Sequence, residues 1–421
     1  MNWKERIIIL ILSGLNFTHI LDFMIMMPLG NYLMPYFNIT PQQFSLLVAA
    51  YSLSAGISGF AAAFFVDKYD RKRILLIGYT GFLVGTIACG FAPNYALLLA
   101  FRIFAGVFGG LIGAQVLSIV ADMFGYERRG MAMGAIMSSF AVASIVGVPV
   151  ALYLANLISW HAPFLLVGAL GIIVTPLIMK FIPSMTAHIK KTVDPNHSPW
   201  KVLTEVVSHP QQRNALIFSA LIMLGHFLII PFVNPYMEFN VGYTKHQTPM
   251  IYLVGGSASF VSAHILGRLA DKIGKLPMFS ISVFFSLIVV WVITNLPSIP
   301  FWITLVIFGT WFTLSTGRMV TANAMISNVV KPEQRGSFMS FNSSVQQLGT
   351  TLASLIAGFV IIKGTDNKIQ HYDWLGYLSI IILFAALLMA RQLFTGMDKK
   401  TEAGSKKSEV GKPIAEVGVE I

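Results

Sequence analysis

The chain has 421 residues, of which 55% are apolar and only 11% are charged, and its mean hydropathy is +0.72. Soluble domains carry about 25% charged residues, so this composition excludes a soluble α/β enzyme and indicates an integral membrane protein. The net charge is +11, and the single cysteine, Cys89, excludes a disulfide framework or a cysteine-based metal cluster.

Twelve apolar stretches follow one another along the chain, and they predict an all-α polytopic membrane protein in which each stretch crosses the bilayer as a helix of about 20 residues. We predict an N-terminal six-helix bundle at 1–182, a cytoplasmic linker at 183–213, a C-terminal six-helix bundle at 214–396 and a disordered cytoplasmic tail at 397–421. The predicted spans lie near 6–34, 44–66, 74–92, 95–120, 131–156, 161–182, 214–236, 249–270, 277–296, 299–325, 337–362 and 374–396.

Basic residues are distributed unevenly over the loops between these spans. If both termini are cytoplasmic, the opposite side holds only Lys245, Lys363 and Lys368, while Arg102 and Arg318 lie within spans. The positive-inside rule therefore predicts a multi-pass protein of the bacterial inner membrane with both termini in the cytoplasm. The net positive charge then reflects membrane topology, and we expect no nucleic-acid partner.

The two halves repeat each other at a spacing near 206 residues. The segment ERRGMAM, residues 127–133, aligns with EQRGSFM, residues 333–339, and VDKYDRK, residues 66–72, aligns with ADKIGKL, residues 270–276. Six plus six spans with a parallel repeat predict two bundles with a binding site between them near the middle of the membrane. Such an architecture indicates transport by alternating access.

The loop after the second span of each half carries the most specific motif. In the second half, Gly267, Asp271, Lys272, Gly274 and Lys275 fit the pattern G-x-x-x-D-[RK]-x-G-[RK]-[RK] almost fully. Over nearly its whole length the sequence resembles the major facilitator superfamily, and within it the drug:proton antiporters and arabinose-efflux-like exporters. The resemblance implies that this loop acts as a gate on the cytoplasmic side.

The first-half copy of the motif departs from the pattern, because Asp70 stands where the second glycine is expected. Aspartate tolerates a left-handed backbone better than most residues, so we expect Asp70 to preserve the turn in that conformation. The resemblance implies that Asp67 approaches the N-terminal end of a helix near Ser337, where the helix dipole stabilises an anion. The gating residues that remain in this copy are Asp67, Lys68, Arg71 and Lys72.

Asp22 is the acidic residue that lies well inside a predicted span. Its segment, LDFMIMMPLG, is similar to the L-D-x-x-x-x-x-x-P pattern of drug:proton antiporters, with Pro28 shifted by one place. Asn16 and His19 precede it by about two turns and one turn, on the same helix face. We predict that Asp22 is a proton-coupling group assisted by His19, and that Asn16 faces the substrate cavity. For His19, a structural histidine bonded to a carbonyl is the alternative.

Arg102 lies in the fourth span, in LAFRIFAGVFGG, which is similar to the family's R-x-x-x-G motif. A charge at mid-span costs about 2.5–3.5 kcal/mol on insertion scales, so such a residue normally faces a cavity or a partner. We predict that Arg102 opposes Asp22 in proton coupling. The fifth span has only Gly147 and Pro149 where drug antiporters carry G-x-x-x-G-P-x-x-G-G, so antiport is not decided by this span.

The second half also places polar and aromatic residues inside spans, including the run FNSSVQQLGTT at 341–351. Because polar groups rarely face lipid, we expect several of them to line the cavity, with interhelical hydrogen bonding and packing as the alternatives. The predicted substrate-cavity residues of this half are His226, Trp311, Arg318, Asn342 and Gln346.

These patterns predict a monomeric secondary active transporter in the lipid bilayer that exports a small organic solute by proton-coupled alternating access, without a metal or cofactor. The alternatives are a proton-coupled uptake symporter and a non-transporting receptor or scaffold on the same fold. An enzyme is disfavoured because no H-E-x-x-H, G-x-S-x-G or phosphate-binding glycine loop occurs in a usable context. If Asp22 and Arg102 compensate each other, Arg318 leaves excess positive charge, which favours a neutral polar or anionic solute.

Overall fold

The computed structural model describes residues 3–62, 64–124, 126–186, 204, 206, 208–330, 335–364, 366 and 368–395. For residues 67, 114, 117, 121, 126–130 and 335–337 it describes the backbone alone. The predicted tail at 397–421, much of the predicted linker and the proposed meeting of the Asp67 and Ser337 regions therefore lie outside the described residues.

Helices make up nearly all of the described chain. The helices of the first half are α1 (Trp3–Met26), α2 (Gly30–Phe37), α3 (Pro41–Ala62), α4 (Arg71–Gly90), α5 (Tyr95–Met123), α6 (Tyr126–Val142), α7 (Val148–Leu157) and α8 (Ala162–Phe181). A short 3₁₀ turn, Val66–Lys68, precedes α4, and a π-helical turn, Ala143–Gly147, joins α6 to α7.

The second half has the same character. Its helices are α9 (Pro210–Phe227), α10 (Ile230–Tyr236), α11 (Thr248–Ile273), α12 (Lys275–Thr294), α13 (Phe301–Ser327), α14 (Arg335–Val360) and α15 (Tyr372–Phe394). A second π-helical turn, Met237–Val241, follows α10. Two short antiparallel strands, β1 (Ile362–Lys363) and β2 (Ile369–Gln370), connect α14 to α15.

Eleven of the described helical segments are long and apolar enough to cross a membrane, where α6 to α7 and α9 to the second π turn each count as one. The remaining predicted span corresponds to α14, which is 26 residues long. Polar residues such as Gln346 and Gln347 lower its hydropathy, and it packs lengthwise against α3 and α9. The prediction of an all-α polytopic fold is confirmed.

Prolines interrupt three of the predicted spans. The first span is broken near Pro28 into α1 and α2, the fifth contains a π turn just before Pro149, and the seventh restarts at α10 around Pro231. Proline has no N–H to donate, and its ring clashes with the carbonyl four residues earlier. Each break leaves backbone carbonyls without their helical partners, and one of them, that of Pro28, takes part in a contact described below.

Close approach of α5 to α3 depends on glycine. A Cβ added at Gly106 would lie 2.1 Å from the Ser54 hydroxyl, and one added at Gly110 would lie 2.3 Å from the backbone oxygen of Ala55. Helices in lipid associate through such close packing because burial from water does not drive them together. These glycines therefore bring α5, which carries Arg102, against the helices that carry its partners.

Candidate functional site

Two faces of the bundle serve to locate the site. The proximal face is the end at which α1 begins, and the distal face is the opposite end. The helix α1 runs from the proximal face toward the distal face, so Asn16 and His19 lie closer to the proximal face than Asp22 does.

Helices α1 and α5 bring Asp22 and Arg102 into contact. The Arg102 Nη1 donates to Asp22 Oδ2 at 2.8 Å, and the two residues are 1% and 0% exposed. A charge-assisted hydrogen bond of this kind is stronger than a neutral one, and the opposite charges reduce the cost of burying each other. The structure thus joins the two residues that the sequence placed on different spans.

An aromatic residue that the sequence analysis missed completes this group. The guanidinium carbon of Arg102 lies 4.3 Å from the ring centroid of Tyr51 on α3. The Tyr51 ring lies 6.5 Å from the His19 ring, which also meets Phe82 edge-on at 5.4 Å. Tyr51 was invisible as a site residue because a tyrosine in an apolar span is an ordinary packing residue. We call Asp22, Arg102, Tyr51 and His19 the first-half charge group.

A cavity of about 190 Å³ adjoins this group on its proximal side, where His19 and Asn16 form part of its wall. Both halves of the chain contribute, the second half through α14. The α14 residues Ser340, Ser343 and Gln347 share one helix face because they are spaced by three and four places. The remaining lining residues are Ala55, Gly59, Gly109, Gly110, Gly113, Val116, Ile136, Met137, Met339 and Ser344.

Asn16 is the one predicted substrate-cavity residue that lines this cavity, and its amide also donates to the backbone oxygen of Ile136 at 3.1 Å. Gln346 and Asn342 lie on the other polar face of α14, where Gln346 Nε2 donates to Ser219 of α9 at 3.1 Å. Interhelical hydrogen bonding, the alternative left open by the sequence, therefore accounts for Gln346.

The other predicted cavity residues of the second half form a separate group. Arg318 on α13 is 0% exposed, and its Nη2 lies 2.9 Å from Nδ1 of His226 on α9. The His226 ring lies 5.5 Å from the indole of Trp311, at an angle of 37°. We call Arg318, His226 and Trp311 the second-half charge group. It does not line the 190 Å³ cavity.

A set of polar contacts joins the two halves at the distal face. The Asn156 side chain on α7 donates to the backbone oxygen of Lys245 at 2.7 Å and accepts from the Tyr32 hydroxyl at 2.5 Å. The Lys245 Nζ lies 4.5 Å from the centre of the Tyr32 ring. Nearby, the Asn234 amide donates to the backbone oxygen of Pro28 at 3.3 Å. We call these five residues the distal latch.

None of the distal-latch residues was predicted as a gate, and their sequence carries little signal, because single asparagines and tyrosines near span ends are common interfacial residues. A carboxylate lies beside the latch. Glu238 in the second π turn accepts from the Thr248 hydroxyl at 2.7 Å. Glu238 lies beyond the predicted seventh span at 214–236 and was not among the predicted site residues.

In the predicted gating loop of the first half, the backbone at Asp70 differs from the expectation. Asp70 has φ −58° and ψ 124°, so the expected left-handed conformation is wrong. Instead Asp70 caps α4, since its carboxylate accepts from the backbone N–H of Lys72 at 3.0 Å. It also accepts from Met185 N–H at 2.8 Å and from the Ser184 hydroxyl at 2.6 Å. Asp70 thereby ties the loop to the chain that follows α8.

The charge state of Asp70 follows from these contacts. Partial burial by itself raises the pKa of a carboxyl group, but the three hydrogen bonds favour the ionised form, so the pKa of Asp70 lies below its ordinary value. The two basic residues that follow Asp70 also form polar contacts. Arg71 forms an ion pair with Asp122 of α5, and Lys72 donates to the backbone oxygen of Met179 at 2.7 Å. Lys68 ends the 3₁₀ turn that carries Asp67.

The second-half gating loop keeps the glycine that the first half lacks. Gly274 has φ +97°, a conformation that side-chain-bearing residues rarely adopt. Asp271 lies in the last turn of α11 and pairs with Lys275 at 3.4 Å across the exposed surface. Lys272 is also in this last turn, where a cation complements the helix dipole. Gly267 lies about one turn before Asp271, and a Cβ added there would meet nothing within 4 Å.

Comparison with known proteins agrees with this architecture. The profile of the Major Facilitator Superfamily matches residues 12–312 and 215–420. The chain is 25% identical over 382 residues to YceJ, an uncharacterized MFS-type transporter of Bacillus subtilis (strain 168), with 90% of this chain and 95% of YceJ covered. It is 24% identical over 377 residues to the multi-drug resistance efflux pump PmrA of Streptococcus pneumoniae serotype 4, covering 86% and 90%.

The fold is also that of a solved transporter. A bacterial homologue of the human lysosomal transporter Spinster, crystallised in an inward-facing and occupied conformation, superposes with a TM-score of 0.72 at 13% identity, covering 93% of this chain and 97% of that one. The protein is thus a membrane transporter of small-molecule substrates and not an enzyme. Its family match extends over most of its length, and the chain belongs to the Major Facilitator Superfamily.

Proposed function

We propose that this transporter exports a small organic solute in exchange for protons, and that Asp22 is the group that binds the proton. The observation that carries the proposal is the buried contact between Asp22 and Arg102 beside a cavity that both halves line. Burying a carboxylate within a membrane costs free energy, so such residues are rare and usually functional. Proton relays are among their common functions.

The Tyr51 ring gives Arg102 a second partner. When a proton binds Asp22, the ion pair is lost, and the guanidinium would be left buried without compensation. A cation over an aromatic face remains attracted to the ring quadrupole, by about 2 kcal/mol or more when water is excluded. Tyr51 therefore supports both charge states of Asp22, which is what a reversible proton site requires.

His19 connects the proton site to the cavity. Its ring contacts Tyr51 and lines the cavity wall, so a solute next to His19 and Asn16 is one side chain away from the ion pair. Competition follows from this proximity. A solute that favours the ionised form of Asp22 and a proton that neutralises it exclude each other, and such competition produces exchange.

Alternating access requires that contacts between the halves break on one face while they form on the other. The distal latch supplies such contacts, because both Asn156 with Lys245 and Asn234 with Pro28 join the first half to the second. The gating loops lie on the proximal face, at the ends of α3 and α11. We propose that the latch opens when the proximal gates close.

Export is the direction we favour because the relative PmrA is named as an efflux pump. The cavity volume of about 190 Å³ lies below the roughly 300–1,000 Å³ of sites for drug-sized ligands, which supports a small solute. We further propose that the protein works as a monomer of two six-helix bundles, at 1–182 and 214–396. Both termini would face the cytoplasm across a bacterial inner membrane.

Purified protein in proteoliposomes provides the test. A thermal-shift panel of sugars, nucleosides, organic acids and drugs first identifies a ligand, whose transport is then driven by an imposed pH gradient. We expect Asp22→Asn to abolish gradient-driven transport while it retains ligand binding and gradient-independent exchange. Asp366→Asn, an exposed distal carboxylate paired with Lys368 at 3.8 Å, is the matched control and should transport normally.

Three outcomes would contradict the proposal. Gradient-driven transport at the native rate in Asp22→Asn would remove Asp22 from coupling, and accumulation in the direction of the proton flow would make the protein an uptake symporter. Absence of any ligand-dependent proton flux in the native protein would favour a non-transporting receptor.

A further inference from the structure

Arg318 carries a charge that the proton mechanism does not use. It is 0% exposed, and its Nε and Nη1 have no hydrogen-bond partner. Among the residues that the structure describes, no carboxylate forms an ion pair with it. Burying a cation without a counter-ion costs several kcal/mol, so an anion bound at this position would be strongly stabilised.

The contact with His226 defines what Arg318 can bind. A guanidinium has only donors, so His226 Nδ1 must accept the hydrogen bond at 2.9 Å, and the imidazole is neutral. His226 therefore acts as a neutral acceptor in a place where a carboxylate would bind more strongly, since a carboxylate adds the attraction of an opposite charge and matches the planar guanidinium with two oxygens. An anionic ligand can replace His226 as the acceptor.

Trp311 adds an apolar surface to this position. Its indole lies 5.5 Å from the His226 ring, and its Nε1 is buried without a hydrogen-bond partner. Trp311 thus contributes a flat aromatic face and an N–H donor beside His226, the residue that Arg318 contacts. A carboxylate attached to a planar apolar group matches this combination better than an inorganic anion does.

The group is close to the boundary between the two halves. The ring of Phe227, the neighbour of His226 in the chain, lies 5.3 Å from the His226 ring and 5.8 Å from the ring of Phe23 on α1. His226 itself is partly exposed, whereas Arg318 is enclosed behind it. A ligand between the bundles would therefore reach the imidazole first and the guanidinium after the ring turns.

We infer that Arg318, His226 and Trp311 form a subsite for the carboxylate of a small organic anion, with Arg318 as the charged contact and Trp311 as the apolar one. The inference rests on the proposed function for its role in transport, because the subsite would select the exported solute. Binding itself does not depend on proton coupling and is measured separately.

Isothermal titration calorimetry of the full chain in detergent tests the subsite with benzoate and its neutral isostere benzamide. We expect the native protein to bind benzoate and to bind benzamide at least about tenfold more weakly, because benzamide lacks the negative charge that would compensate the buried guanidinium. Arg318→Gln should weaken benzoate binding by about tenfold or more. Arg318→Lys should weaken it less, since the charge stays and only the planar fork is lost.

Arg268→Gln is the matched control, because Arg268 is an exposed arginine on α11, and this variant should bind benzoate like the native protein. Equal binding of benzoate and benzamide, native affinity in Arg318→Gln, or no benzoate binding by the native protein would each overturn the inference. Binding of inorganic phosphate without benzoate would overturn the organic-carboxylate assignment. Asp22→Asn should still bind benzoate, so failure of proton coupling with benzoate binding intact would contradict the proposed function alone.

Discussion

The first half of the chain buries Arg102 in contact with Asp22, whereas the second half buries Arg318 against a neutral histidine. Both guanidinium groups are almost completely enclosed, at 1% and 0% exposure. One charge is therefore compensated within the protein and the other is not. We propose that the first half binds the proton and that the second half adds a charged contact for the solute.

The internal repeat does not extend to these two arginines. At the shift of 206 residues, Arg102 corresponds to Phe308, and Arg318 corresponds to Ile112. The gating loops recur in both halves, but the buried charges do not. The repeat thus covers the predicted gating loops, while each buried arginine has no equivalent in the other half.

The largest expected effect is a loss of stability when the ion pair between Asp22 and Arg102 is broken. Arg102→Met leaves Asp22 buried without its cation, and loss of one partner of a buried pair costs about 3–5 kcal/mol. Unfolding by detergent titration should therefore shift strongly, and the additional change Asp22→Leu should restore much of the loss. If the double variant is no more stable than Arg102→Met, the two residues do not compensate each other.

Arg318→Met tests the opposite half of the comparison. This change removes a buried cation that has no ion-pair partner, so desolvation is relieved and no carboxylate is left uncompensated. We expect stability equal to the native protein or higher, by up to about 2 kcal/mol, in the same titration. A loss as large as that of Arg102→Met would mean that Arg318 is a structural residue.

A smaller effect is expected when the distal latch is weakened, and it concerns access to the cavity from the distal face. Asn156→Ala removes the side-chain hydrogen bond to Lys245 in the other half, and one such bond contributes about 0.5–1.5 kcal/mol. Labelling of a cysteine introduced at Ser344 in the cavity, in a Cys89→Ser background, should rise about two- to tenfold from the distal side.

Asn295→Ala is the matched control for the latch, because the Asn295 amide donates to Trp291 within the second half at 2.9 Å. It should leave distal labelling unchanged. Equal labelling in the native protein and Asn156→Ala would remove the latch from gating.

The smallest expected effect is the pH dependence of the stability that Asp70 contributes in the predicted gating loop of the first half. Because the pKa of Asp70 is lowered in the folded protein, its stabilising contribution is complete above the unfolded pKa and disappears as the pH falls through the folded value, below about pH 4. Asp70→Ala should cost about 1 kcal/mol at pH 7, as a lost helix cap does, and less under acid conditions. A penalty from thermal unfolding that does not vary with pH would contradict the ionised cap.

The sequence was sufficient for the fold and for part of the site. Hydropathy located α14 even though Gln346 and Gln347 reduce its apolarity, and the resemblance singled out Asp22 and Arg102. It was insufficient for the face of α14 that lines the cavity, because polar residues occur on both faces and only packing against α9 and α3 decides between them. Asp70 was misjudged because an aspartate before a helix satisfies either a left-handed turn or a cap, and the contacts with the chain after α8 select the cap.

Proton coupling through Asp22 is tested most directly by proton release. The ligand found in the thermal-shift panel is added to purified protein in weakly buffered detergent solution, and the released protons are measured. We expect release that rises with ligand occupancy in the native protein and is absent in Asp22→Asn, although that variant still binds the ligand. Undiminished release from Asp22→Asn would contradict the account and would move proton coupling to another group, with His226 the next to examine.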